Sequence, residues 1–478
     1  MTRPCLLGAT LGGSMRRIIR VLAACCGISV LMVAPQLSQA AGFRVYDQGA
    51  SATAQSNAFT AQADDASALY YNPAGLTQLR KPEFYGGFNL LGGGTNYTSP
   101  TGVSAHGDFG GSVLWPPTGN IYFAAPIPER FVKDHKLVVG IGLVGPPFGV
   151  NYRYPNDGPF NTATVTASLP LLDIKPTLAY RLTDSVSVGI GMDIYTFSSF
   201  IGEGHYEQKF AGSGPLAGQQ VEVNGSDTSL GFNVSLMYTP QAFMKTIKDP
   251  ITEEEISKPQ VSIGLVYRSQ TTLHLDGNLL VNGAAISSAS TTAVLPQVIT
   301  GGVAIWPVRE MDREWKLEMD IDYTGWKSLR NINLNTPLGT TPVPTNWRSS
   351  FTVMTGTEYK FINPEWLHNW DVALRGGYWF SQTPVPDATF NPAVPDSDGH
   401  SISVGAGALC KGGGKFLGLW ECGPRARSGI RPSAWGLDLA YQALLYEERT
   451  ITGNLNPTVN GTYNTVYHVG SVNFRIIW

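Results

Sequence analysis

Groups able to do chemistry are sparse and scattered in this 478-residue chain. The seven histidines (His106, His135, His205, His274, His368, His400 and His468) stand in no spacing with Ser and Asp that marks a nucleophile, a base and an orienting acid. Lys411-Gly412-Gly413-Gly414-Lys415 is glycine-rich but lacks the spacing and the strand-loop-helix setting of a phosphate-binding loop. No set of His, Cys, Asp and Glu has metal-ligand spacing. The chain therefore reads as a non-enzyme without metal or cofactor. The remaining chemistry is electrostatic. Arg181, Arg268, Lys316, Arg348 and Arg375 fall on inward faces of the strands described below. A cation there either meets a ligand carboxylate or joins a polar network, because an unpaired buried charge is costly.

The elements that must position such groups are strands. Only 14% of residues are charged, against the usual quarter of a soluble protein, while 54 are glycine and 11% aromatic. The net charge of -3 gives no reason to expect a nucleic-acid partner. Beyond residue 40 no apolar run is long enough for a spanning helix. Period-two alternation recurs instead. Leu317, Met319, Ile321 and Tyr323 alternate with Lys316, Glu318, Asp320 and Asp322. Val186, Val188, Ile190 and Met192 alternate with Ser187, Gly189, Gly191 and Asp193. One face suits lipid and the other a polar interior. About fourteen such strands run from near Glu83 to Trp478, which predicts an all-β, transmembrane antiparallel barrel.

Both ends fit export to the outer membrane of a Gram-negative bacterium. Arg16, Arg17 and Arg20 precede an apolar core, and Ser38-Gln39-Ala40 matches a signal-peptidase site, which makes residues 1–40 a signal peptide. Met15, just before the basic cluster, competes with Met1 as the start. In an oxidising compartment Cys410 and Cys422 are expected to form a disulfide. The last strand, with Val472, Phe474, Ile476 and Trp478 on one face, has the aromatic ending expected of a substrate for the barrel-assembly machinery. The chain is read as a monomer in outer-membrane lipid. Long connections near 151–168, 198–229, 278–292, 331–346 and 383–399 fall on the outside. On the inside, Leu182–Ser185 is a tight turn and 240–259, with Glu253-Glu254-Glu255, is a candidate helix. Residues 41–82 lack a period of two and are long enough to fold into the lumen as a hatch, ahead of a barrel at 83–478.

Several local patterns carry a family resemblance. Ala63-Asp64-Asp65-Ala66-Ser67-Ala68 is followed by Asn72-Pro73-Ala74-Gly75-Leu76. Later come Asp322-Tyr323-Thr324-Gly325-Trp326-Lys327, Arg375-Gly376-Gly377-Tyr378, Thr383-Pro384-Val385-Pro386 and Pro395-Asp396-Ser397-Asp398. From Ala41 to Trp478 the chain resembles the FadL family, outer-membrane transporters of long-chain fatty acids and hydrocarbons. The resemblance implies a fourteen-stranded barrel closed by an N-terminal hatch, capture of a hydrophobic molecule at outer loops, and sideways release beside a kinked third strand. Asn72, Pro73 and Ala74 would then lie at the opening.

Residue chemistry bears on this implied gate. Leu137, Val139, Ile141 and Leu143 run into Gly145-Pro146-Pro147-Phe148-Gly149. Proline cannot donate to the ladder, so the segment either bends a wall strand or already belongs to a loop. If it bends the wall, Asn72 is the expected polar partner. Phe43, Phe197, Phe200 and Phe210 are candidates to line an apolar path, with Arg181 and Arg268 as cations along it. The stretch from Tyr195 to Glu203 lacks the Arg or Lys that the resemblance implies for fatty-acid carriers. The alternative function is a general diffusion porin, which would lack a hatch and carry a charged constriction.

Overall fold

The computed structural model describes residues 42–133, 136–199, 202–248, 255–337, 339–423 and 432–478. The signal-peptide reading of 1–40 lies outside them.

Fourteen strands close on themselves. The first five are β1 (Glu83–Thr98), β2 (Thr118–Pro126), β3 (Leu137–Gly145), β4 (Leu172–Arg181) and β5 (Val186–Thr196). Next come β6 (Ser229–Tyr238), β7 (Val261–Arg268), β8 (Val298–Arg309), β9 (Arg313–Thr324) and β10 (Ser350–Ile362). The ring ends with β11 (Trp370–Ser381), β12 (Gly399–Cys410), β13 (Ala434–Tyr446) and β14 (Gly461–Ile477). Each pairs antiparallel with the next, and β14 pairs with β1 from Ile477 opposite Glu83 to Thr462 opposite Thr98. Closure removes sheet edges, whose unpaired amides would cost several kcal/mol each in hydrocarbon.

The side chains are arranged inside out relative to a soluble protein. On β9 Lys316, Glu318, Asp320 and Asp322 are buried, while Met319 and Ile321 are nearly half exposed. Ile190, Leu230, Phe232, Ile402 and Leu439 are likewise exposed apolar residues of the outer wall. No helix among the described residues is long and apolar enough to cross a membrane.

Two connections differ from their sequence reading. The outer stretch around 278–292 is a hairpin of Thr271–Val281 and Ala284–Leu295, turning at Asn282-Gly283, both at positive φ. Asn-Gly is the residue pair such two-residue turns favour, and that local signal was overlooked. The inner stretch 240–259 holds a hairpin of Met244–Lys248 and Glu255–Pro259 where a helix was the candidate.

Residues 42–82 fill the bore. They form only two single-turn helices, α1 (Ala50–Thr53) and α2 (Ala68–Tyr71), and a 3-10 turn at Pro73–Gln78. A segment with so little regular structure cannot satisfy its own buried amides, so the wall must. Asp320 accepts from the amides of Phe59 (3.0 Å) and Thr60 (2.9 Å). Glu318 accepts from Ala61 (2.6 Å) and Gln62 (3.2 Å). Asn473, Ser403 and Glu83 take the amides of Ala50, Ser56 and Ala66. At some of its closest approaches to the wall the hatch backbone lies against glycine. A Cβ on Gly377 would overlap the carbonyl carbon of Gln55, and one on Gly264 the carbonyl oxygen of Thr60.

Candidate functional site

The hatch entry and the end of β3 form one unit. After Gly145 the chain of β3 pairs with residues of the hatch. The Val45 amide donates to Pro147 O (3.0 Å), and the Gly149 amide to Phe43 O (2.9 Å), with Arg44 opposite Phe148. Gln48 Nε2 donates to Pro146 O (2.9 Å). The carbonyls of both prolines are thus met from inside the barrel. Phe43–Gln48 is the partner, not Asn72 as anticipated. Asn72 donates instead to Thr60 O (2.7 Å) and to Leu236 O of β6 (3.2 Å), and caps the Pro73–Gln78 turn at the Ala74 amide. The Ala74 amide also donates to Ser235 Oγ (2.9 Å). Asn72-Pro73-Ala74 therefore sits against β5 and β6, where Gly189 leaves room for Pro73.

Beyond the end of β3 the outer loops enclose a chamber filled by packed aromatic side chains. Phe43 packs edge-on against Trp326 (4.7 Å between centroids) and Phe148 (6.1 Å), and Trp326 against Trp347 (5.1 Å). Farther out, Tyr97, Phe160, Tyr463 and Phe390 continue the stack at 4.5–6.0 Å. The chamber is shut: Trp326, Phe160, Leu171 and Ile451 have no exposed surface. Two buried donors inside it, Trp326 Nε1 and the Tyr154 hydroxyl, have no hydrogen-bond partner among the described residues.

Below the end of β3 is a small polar cavity, lined by Arg44, Tyr46, Tyr70, Arg268 and Asp322 among others, with room for little more than one water. Arg44 Nη1 lies 2.6 Å from Asp322 Oδ1. The Arg268 guanidinium stacks 4.3 Å from the Tyr70 ring centroid and donates to Tyr70 O, and its Nε has no partner. Arg375 by contrast is held by Glu358 (2.7 Å) and Asp438 (2.5 Å), and Lys316 by Glu318 (2.7 Å) and Gln62 (2.6 Å). These two are lumen-network residues.

Of the sequence candidates, Phe43 floors the chamber and Phe197 packs against it. Phe210 stands on a loop strand opposite Val221, outside that cluster, and Phe200 lies outside the described residues. Arg181 is at the opposite end, donating to Thr77 O. Arg348 lines an open polar pocket between outer loops with Asp398 and Arg449. Cys410 and Cys422 are joined, with Cα atoms 5.8 Å apart. Spacing showed no metal-ligating set, yet loop pairing brings ligand atoms of His205, Glu207 and Glu222 within 4.8 Å of one another. The Lys209 ammonium already lies 2.9 Å from Glu207 and 3.5 Å from Glu222. Arg44, Gln48 and Trp347 carry no local signal that marks them, and Trp326, read only as part of the Asp322–Lys327 motif, has no site role legible in the sequence.

A closed fourteen-strand barrel, apolar outside and filled by its own leading segment, is the architecture of a membrane-spanning β-barrel with an occluded bore. A family profile described as "Outer membrane protein transport protein (OMPP1/FadL/TodX)" matches residues 30–410, and the chain belongs to that family of outer-membrane transporters of hydrophobic compounds. It is 24% identical over 426 residues to the "Long-chain fatty acid transport protein" of Escherichia coli strain K12, covering 79% of this chain and 86% of the relative. In fold it is similar to a Pseudomonas aeruginosa FadL homologue (TM-score 0.68, 18% identity, 91% of this chain and 99% of the other). It is also similar to the P. putida toluene transporter TodX (TM-score 0.55, 14% identity, 90% and 98%). The protein is an outer-membrane protein.

Proposed function

We propose that this protein carries long-chain fatty acids or neutral hydrocarbons passively inward: captured in the aromatic chamber, passed to the gate and released sideways through the wall at the end of β3. One observation carries the reading. Residues 43–48 form both the floor of the chamber, through Phe43, and the inner partner of Pro146–Gly149, through Val45 and Gln48. Withdrawing that single strand opens the chamber and unpairs the wall together. The unpartnered donors Trp326 Nε1 and Tyr154 suit a ligand oxygen, and a buried donor left unmade costs about 1–3 kcal/mol. The unpaired Arg268 Nε, one layer deeper, suits a carboxylate. Family relatives named for fatty acids and for toluene fit both substrate classes.

Cross-linking tests the gate. Arg44 and Phe148 face each other between the two flanking hydrogen bonds, where antiparallel Cα atoms approach most closely. The double variant Arg44→Cys/Phe148→Cys, oxidised, is expected to abolish uptake of labelled oleate and hexadecane, and reductant to restore it. The single variants under the same conditions serve as controls. Unchanged uptake by the cross-linked protein overturns the gate. Passage of small sugars faster than either lipid assigns the chain to the porins.

A further inference from the structure

The disulfide-bonded loop at the short-turn end has a face that the transport reading does not use. Cys410 closes β12, and its neighbours across the sheet are Trp370 of β11 and Trp435 of β13. All three lie on the outward parity of their strands, the parity of exposed Leu374, Ile402 and Leu439. The loop therefore folds back over the lipid-facing side of the wall and leaves the lumen clear. Phe416, 2% exposed, is buried between the two tryptophans, stacked 5.9 Å from Trp370 and 6.4 Å from Trp435. Trp420 adds a further stacked ring, 5.6 Å from Trp435.

Beyond this anchored stack the loop presents apolar groups to its surroundings. Leu417 is 62%, Leu419 74% and Trp420 46% exposed. Leu417 and Gly418 both have positive φ, so the hairpin tip places a leucine where Asn is favoured. A bulky residue held there is strained, on top of its exposure. Lys411 and Lys415 flank the tip on the same loop, Lys411 paired to Asp371 at 2.6 Å and Lys415 exposed. The same rim carries other aromatic residues, Trp315 and the Tyr359–Phe361–Trp366 ladder. Tryptophan with lysine at the end of an apolar band is the composition of a membrane-interface anchor.

The geometry points to the Cys410–Cys422 loop as a lipid-binding element: Leu417, Leu419 and Trp420 insert into the headgroup boundary of the adjacent leaflet, presented by the disulfide against the outer wall. The partner is a phospholipid surface. The loop fastens β11–β13 to the bilayer on the side away from the proposed gate.

Fluorescence quenching tests this in the full-length, disulfide-intact protein. It is reconstituted in phosphatidylethanolamine/phosphatidylglycerol vesicles with iodide on both sides, or with lipids brominated near the carbonyl end of the chains. The emission of Trp420 is the difference between the parent and Trp420→Phe, with heat-modifiable migration confirming that both barrels fold. The Trp420 component is expected to lose most of its intensity to brominated lipid and little to iodide. In Leu417→Asn, brominated-lipid quenching of Trp420 is expected to fall. Quenching by iodide with none by brominated lipid overturns the proposal and makes the loop a docking surface for a soluble partner. Quenching by neither also overturns it, since Trp420 is then shielded by protein.

Discussion

Replacing Asp320 with alanine is expected to loosen the hatch while leaving the barrel closed. Asp320 Oδ2 accepts two hatch amides, from Phe59 at 3.0 Å and Thr60 at 2.9 Å, and the residue has no exposed surface. The ladder bonds of β9 to β8 and β10 are backbone bonds and survive the change. Removing the acceptor leaves two buried amides unsatisfied at about 1–3 kcal/mol each, so two amount to about 2–6 kcal/mol. Water admitted by the missing side chain recovers part of this, and about 3 kcal/mol is the expectation. At 1.4 kcal/mol per tenfold, about 3 kcal/mol raises the open fraction roughly a hundredfold. Glu318 still holds the Ala61 and Gln62 amides, so the release is local to residues 55–60. The assay is conductance in planar bilayers together with protease cleavage of the hatch in folded, heat-modifiable protein. Asp320→Asn keeps an acceptor oxygen and is expected to fall between parent and alanine variant. Folded Asp320→Ala barrels with parental conductance and a protease-resistant hatch would refute the claim that wall carboxylates hold the hatch shut.

Two further outcomes follow from the site. Arg268→Gln removes the cation stacked on Tyr70, and a charged hydrogen bond of about 1.5–3 kcal/mol makes a roughly ten- to hundredfold loss of affinity for a fatty acid. Alkane uptake is expected to stay at the parental level, and equal loss of both assigns Arg268 a structural role. Asp396, in the outer loop, accepts from the Thr383 hydroxyl and the Gly42 amide, and burial pushes its carboxyl up to about 7, opposed by the Thr383 bond and by Arg449. A raised carboxyl favours the folded loop at acid pH. That contribution declines as pH rises from about 4 and is gone above about 7. Protease nicking of the 383–398 loop should therefore accelerate between pH 4 and 8 in the parent and do so less steeply in Asp396→Asn, where Asp398, its carboxyl also pushed up to about 7 by burial and Glu447, keeps the remainder.

The strands were legible because their signal is local. Leu317 to Tyr323 against Lys316 to Asp322 states a period of two within a few residues, and the lipid-facing set can be read without knowing any partner strand. The hairpin at Asn282-Gly283 was equally local and simply unread. The hatch was legible only as an exception to the pattern. Its location in the bore depends on amides such as Phe59 and Thr60 meeting Asp320, some 260 residues away.

The gate shows the same division. Gly145-Pro146-Pro147 announced a break in pairing, because proline lacks an amide hydrogen wherever it stands. Which group answers the break was a long-range matter, and the structure assigns it to Phe43–Gln48, while Asn72 faces β6. Likewise the cysteines were read as a disulfide, but the side of the wall on which their loop lies followed only from the parity of Trp370, Cys410 and Trp435 in the closed ring. By itself the sequence determined a barrel with a greasy wall, a polar bore and a segment able to block it. Each of those is set by side-chain periodicity along one stretch of chain. The tertiary structure decided which residues shut the bore and line the chamber, because an irregular segment finds its hydrogen-bond partners on strands distant in sequence, and periodicity carries no information about them.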